Sequence, residues 1–199
     1  MHYDFIKEYF EKIVMPKVYF SKVVILWITC PGGSVVISDY IKQKIKEMQD
    51  KGKYVIAYID IAASGGYDIA KEANYVVANK NSMVGNVGTL FAHEVNEKEL
   101  KQKGYNYDSI NLYNEDLNFY FSDNFKNFIS KNLDLFKNNV QMKRRLQNND
   151  ALQGQIYTGR AAKKIGLVDS DDGFLDVVKL SKEVLQTDEV NLNCVIDII

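Results

Sequence analysis

Histidine and cysteine are nearly missing from this chain, with two of each in 199 residues. The histidines, His2 and His93, and the cysteines, Cys30 and Cys194, stand far apart. There is no CxxC and no close His/Cys/Asp set at ligand spacing, which argues against a metal site. Two lone thiols read as buried side chains and do not report the redox compartment. Proline is equally scarce, and with many aromatics the composition is that of a globular chain. Long apolar runs are absent too. The longest, "VVILWITC", falls far short of the roughly 20 residues that cross a bilayer. The opening "MHYDFIKEYFEKIVMPK" carries charges throughout and has no apolar core of a secretory leader. As it stands the chain therefore reads as soluble. A net charge of −1 leaves no basic field for nucleic acid, and Lys143-Arg144-Arg145 is expected to be a solvated helix face.

What is present is an alternation of strands and helices. Residues 4–14 have apolar positions at helical spacing. "KVVILWIT" (22–29) reads as a strand buried on both faces. "ISDYIKQKIKEMQDKG" (37–52) predicts a helix capped by Ser38 or Asp39 and ended by Gly52. "YVIAYID" (54–60) predicts a second buried strand, 65–73 a short helix and "YVVA" (75–78) a third strand. Residues 82–91 predict a turn into a short strand, 96–104 a helix, "YDSINLY" a strand, and 122–147 a long helix capped by Ser122. "TGRAAKKIGLVDSDDGFLDVVKLSKEVL" predicts a helix, a strand-like GLVD, a turn and a last helix. The pattern is α/β with parallel pairing. It forms one domain over 1–199, with 1–21 a helical segment.

Two strands run into turns of small residues. "WITCPGGSV" places Gly32 and Gly33 after the first, and "IDIAASGGY" places Ser64, Gly65 and Gly66 after the second. In a parallel sheet the C-terminal strand ends share one edge, where ligands bind. Ser64 would then stand exposed before a helix. The amides of Gly33 and Gly65, unshielded by any Cβ, could converge on one oxygen as an oxyanion hole. The plainer reading is two tight turns with Ser64 as a helix cap, and each turn alone fits it.

Four segments in order, "CPGGSV" (30–35), "AASGGYDIAKEANYVVAN" (62–79), "VGNVGT" (84–89) and "GQIYTGRAAKKIGLVD" (154–169), resemble the signal peptide peptidase A family. These are serine peptidases of the Clp/crotonase superfamily. The family patterns are SPGG, AASGGYYIA, GSIGV and GRVYTGxxAxxxGLVD, and the likeness covers roughly residues 22–180. It implies a spiral of ββα units, with Ser64 as nucleophile and Gly33 as an oxyanion donor. It implies cleavage of extended hydrophobic peptides without metal or organic cofactor, and assembly into a homo-oligomeric ring or dome. Family members are membrane-anchored, so a full-length form would associate with a membrane. By analogy with the fold, Gly32, Ser34 and Val35 would bind substrate, with "SVV" pairing to its backbone as an added strand.

Three departures stand out. The family's base is a lysine about 50 residues after the serine, and Glu115 falls at that position. A carboxylate is only weakly basic, at an ordinary pKa of about 4.3. Asn86 replaces the serine of GSIGV. The chain also opens at the helix, without the family's first strand. Of the lysines, Lys126 falls within the predicted long helix, where a solvated face is expected, while Lys80, Lys98, Lys101 and Lys103 match no pattern. His93 comes 29 residues after Ser64, whereas ClpP places its histidine about 25 residues on, and His93 is expected to be partly exposed. Two alternatives follow: a pseudo-peptidase that binds peptides or partner subunits without cutting, and a crotonase-type acyl-CoA enzyme using the same amide pair.

Overall fold

The computed structural model describes residues 3–89, 123–186 and 195–198. A helical segment opens the chain, with α1 (Tyr3–Tyr9), a π-helical turn (Phe10–Val14) and α2 (Met15–Lys17). Then follow β1 (Val23–Cys30), α3 (Val35–Asp50), β2 (Tyr54–Ala63), α4 (Gly65–Ala70) and β3 (Tyr75–Gly85). The rest comprises α5 (Asp123–Lys143), β4 (Ile156–Thr158), α6 (Gly159–Ile165), α7 (Phe174–Leu185) and β5 (Val195–Ile198).

The sheet order is β4-β3-β2-β1-β5, with β4 antiparallel and the other neighbours parallel. Apolar residues alternate to both faces of β1 and β2. Val24, Leu26, Ile28, Val55, Ala57 and Ile59 face one core with Phe10, Ile41, Ile45 and Met48 from the helices. Val23, Ile25, Ile56 and Tyr58 face the other core, under Val177 and Phe174 of α7. Each buried Val, Leu, Ile, Phe or Met among them contributes about 1.5–3 kcal/mol on burial, which is why these strands read as continuous apolar runs. Lys53 is buried, yet its ammonium donates to the carbonyls of Val18, Tyr19 and Ser21 at 2.7–2.8 Å, closing the end of the N-terminal helical segment.

Several boundaries differ from expectation. α3 begins at Val35, with Ser34 as N-cap, and not at Ser38 or Asp39. Its start is set by the glycine turn, since the Ser34 side chain makes no capping bond. Ser38 is instead buried, and Asp39 pairs with Lys42. The predicted strands at 75–78 and 82 onward are one strand, β3, because pairing with β2 lapses after Ile59↔Ala78 and resumes at Ile61↔Met83. GLVD is not a strand. Leu167 and Val168 are buried, while Asp169 and Ser170 run beside β3, with Asp169 N–H on Val76 O and Ala78 N–H on Ser170 O. Arg144 is not on a solvated face. Its side chain is 7% exposed, and its guanidinium grips both carboxylate oxygens of Asp169 at 2.9 and 3.1 Å. β5, beside β1, had no counterpart in the sequence reading. The predicted helix 96–104, the strand "YDSINLY", Ser122, Glu115, His93 and Cys194 lie outside the described residues.

Candidate active site

Both small-residue turns leave the same edge of the sheet and meet there. β2 carries an irregularity shortly before its turn: Asp60 is an extra residue between Ile59 and Ile61, which pair with the consecutive Ile28 and Thr29 of β1. Such bulges re-aim a strand end. A Cβ placed on Gly32 would stand 2.9 Å from Ser64 Cβ and 3.4 Å from Ser64 Oγ. A Cβ on Gly65 would stand 2.7 Å from Ser38 Oγ and 3.4 Å from the Gly33 amide nitrogen. The glycines thus permit a contact between turns that any side chain would prevent.

Ser64 links β2 to α4 at φ 51°, ψ −122°. A non-glycine residue at positive φ costs on the order of 1–3 kcal/mol and persists only where its surroundings fix it. Here Ser64 N–H donates to Gly85 O at 3.0 Å, and Ser64 O accepts from Asp68 N–H at 2.9 Å. A serine on a sharp strand-to-helix turn is how some hydrolases expose a nucleophile. Ser64 is half-buried and open to a cavity of about 470 Å³, so the plain helix-cap reading fails: its side chain caps nothing in α4. Its Oγ donates instead to Gly88 O at 3.3 Å. Among the described residues neither the Gly33 nor the Gly65 amide has a hydrogen-bond acceptor.

The third motif forms the cavity's neighbouring rim. Gly85 and Asn86 both have positive φ, 120° and 48°. Asparagine tolerates the left-handed region better than most residues, so the departure from serine at position 86 fits its backbone. Asn86, Gly88 and Thr89 line the cavity. The fourth motif is scaffold. Gly159 lies so close to β3 that a Cβ would fall 2.0 Å from Asn79 O. Gly166 ends α6 in the left-handed region at φ 88°. Tyr67 OH donates to Leu167 O at 2.7 Å, tying α4 to that motif.

Of the other expected residues, Gly32 and Val35 line the cavity. Val35 and Val36 belong to the first turn of α3, so "SVV" is not an extended strand, and Val35 meets the cavity as a helical side chain. Sequence reasoning overlooked the wall made by Ser38, Asp39, Lys42 and Asp68, and the face of α5 bearing Asn132, Leu135, Phe136 and Asn139. Asp39–Lys42 spacing on a helix was a readable sign; the contact with Asp68 spans α3 and α4 and was not. Lys42 Nζ sits 2.7 Å from Asp39 Oδ1 and 2.5 Å from Asp68 Oδ2. Burial works against its charge, but its hydrogen bonds to Asp39 and Asp68 outweigh it and hold the ammonium above the ordinary lysine range. Lys42 is thus held between two carboxylates at the cavity wall. Behind it, the fully buried Lys71 bridges Asp68 and Glu72, and Lys143 of α5 also reaches Glu72. Lys80 is exposed.

Solved structures share this architecture. The membrane-bound stomatin-specific protease 1510-N superposes with a TM-score of 0.59 at 15% identity, covering 99% of this chain and 90% of that one. An enoyl-CoA hydratase/isomerase family member gives 0.53 at 16%, covering 94% and 67%. The fold is that of the ClpP/crotonase class. Within that class the model of peptidase family S49 matches residues 47–188, and the chain belongs to that family. Protease 4 of Haemophilus influenzae is 31% identical over 175 residues, 82% of this chain and 28% of that protein. The chloroplastic serine protease SPPA of Arabidopsis thaliana is 26% identical over 174 residues, 81% of this chain and 26% of that one. The chain thus spans less than a third of the length of either relative.

Proposed function

We propose that this chain is a serine endopeptidase in which Ser64 is the nucleophile and the Gly33 and Gly65 amides form the oxyanion hole. The observation that carries the reading is the strained Ser64 turn, open to a cavity and pressed against a second turn whose amide is unbonded. Ser64 Oγ attacks the scissile carbonyl and gives its proton to a base as the C–O bond forms. The two amides hold the resulting oxyanion, a role in which one donor is typically worth about 10²–10³ in rate. The C–N bond then breaks, the leaving amine takes the proton, and water releases the acyl group from Ser64. The peptide lies extended in the cavity, with Val35, Leu135 and Phe136 taking apolar side chains.

The base in this reading is Glu115, at the position where the family has lysine, or a group supplied by another copy in a homo-oligomer. A carboxylate in this role needs desolvation to raise its basicity. The test is turnover of an unstructured apolar peptide by the assembled protein and by Ser64→Ala. The expected result is turnover by the first and a loss of at least about 10³-fold in the second. Equal rates would overturn the assignment of Ser64. Tight peptide binding without turnover in either would favour a peptide-binding pseudo-peptidase.

A further inference from the structure

The Ser64 cavity has two unlike walls. One carries Val35, Leu135 and Phe136, with Asn132 and Asn139 beside them on α5; the other carries Asp39, Lys42 and Asp68. The family pattern AASGGYYIA has a tyrosine where this chain has Asp68. An ammonium has three donors. Two from Lys42 are taken by Asp39 and Asp68, and no third acceptor is present among the described residues. The Lys42 side chain keeps 18% exposure and lines the cavity. Beside it Asp39 is 54% exposed, and its second carboxylate oxygen has no partner among the described residues. The wall therefore offers one fixed donor and one adjacent acceptor.

From this we infer that Lys42 and Asp39 form a subsite for a neutral, hydrogen-bonding side chain of the bound peptide, a carboxamide above all. The inference rests on the peptidase reading for its substrate class. A glutamine or asparagine oxygen accepts the third Lys42 N–H, and its NH₂ donates to Asp39. An acidic side chain meets two carboxylates held around a single ammonium. A basic side chain meets Lys42 itself, whose charge does not leave. An apolar side chain strips water from both groups and returns no hydrogen bond, a loss paid in affinity.

The experiment uses fluorescein-labelled ten-residue peptides in which each position in turn carries Gln, Met, Glu or Lys. Binding to Ser64→Ala is read by fluorescence anisotropy, and cleavage by the unmodified chain is read in parallel. At one position Gln is expected to bind about tenfold more tightly than Met, Glu or Lys. Lys42→Met and, separately, Asp39→Leu, each in the Ser64→Ala background, bring the Gln-over-Met ratio at that position to within about twofold. Circular dichroism and the unchanged preferences at other positions check the fold, and Asp39→Leu, on the exposed rim, serves if Lys42→Met fails to fold. No Gln preference at any position overturns the inference. So does a preference that survives in the folded variants, or a preference for Glu or Lys there. Because binding needs no turnover, a Gln preference lost in the variants with no cleavage by the unmodified chain sustains the subsite while the peptidase reading falls.

Discussion

The turn after β1 leaves its second glycine facing open space, whereas in the turn after β2 the second glycine is packed against the end of β1. Among the described residues, chain neighbours aside, no atom lies within 4 Å of where a Cβ on Gly33 would sit, although its φ of 152° disfavours one. Gly66 is the opposite case: its Cβ would fall 2.2 Å from Cys30 O, in the heart of the contact between the turns. Gly65 is blocked by Ser38 and Gly32 by Ser64. Four glycines in two similar motifs therefore do two jobs. Gly66 lets backbone approach backbone, Gly32 and Gly65 make room for the Ser64 and Ser38 side chains, and the amides of Gly33 and Gly65 stay without an acceptor among the described residues. Close packing and an open site are here not alternatives, because the first holds the geometry of the second.

Substitutions that separate these jobs would break or sharpen the contrast. The largest effect is expected for Gly66→Ala, where the new methyl meets a carbonyl that cannot swing away. Its destabilisation should be about 3 kcal/mol or more, read from urea unfolding midpoints. A loss below about 1 kcal/mol would show that the two turns are loosely joined. Gly33→Ala meets no neighbour, so its cost is conformational strain of about 1 kcal/mol. Peptide turnover should nevertheless fall about 10²-fold as the amide turns away. A large stability loss with unchanged turnover would reverse the assignment of the two turns.

The packed turn is also held by charge, through Lys71 between Asp68 and Glu72. Burial pushes the Glu72 carboxyl up, but hydrogen bonds from Lys143 and Lys71 outweigh it and hold its pKa below the ordinary 4.5. A depressed carboxyl contributes stability that is fully present above its unfolded pKa and is lost as pH falls through its lower folded pKa. Glu72→Gln should therefore be less stable than the unmodified chain at pH 7, by on the order of 1 kcal/mol. That gap should close as pH drops below the ordinary value. A gap independent of pH would assign the effect to packing. The smallest effect concerns Ser64 itself. Glycine accepts its positive φ and alanine does not, so Ser64→Gly should be more stable than Ser64→Ala by a margin of about 1 kcal/mol or less. The reverse order would mean that the turn is not strained.

Much of this arrangement was legible in the residues. The apolar runs gave β1 and β2, and the breaks at Pro31-Gly32-Gly33 and Ser64-Gly65-Gly66 gave the edge at which the site lies. What escaped depended on distance in the chain. Lys42 meets Asp68 across 26 residues, and Arg144 meets Asp169 across 25, so a charged run that looked solvated contains a buried guanidinium. β5 joins β1 from the far end of the chain. β3 continues through the polar stretch Asn79–Ser82 because pairing with β2 resumes beyond it. The start of α3 was misplaced because a capping side chain is a weak guide where a glycine turn fixes the backbone.

Reaction with a fluorophosphonate, mapped by peptide mass spectrometry on the folded and assembled protein, tests the central claim most directly. One phosphonylated residue is expected, Ser64, in the unmodified chain, and no adduct after Ser64→Ala. A folded chain that stays unlabelled, or an adduct that persists when Ser64 is replaced, would contradict it.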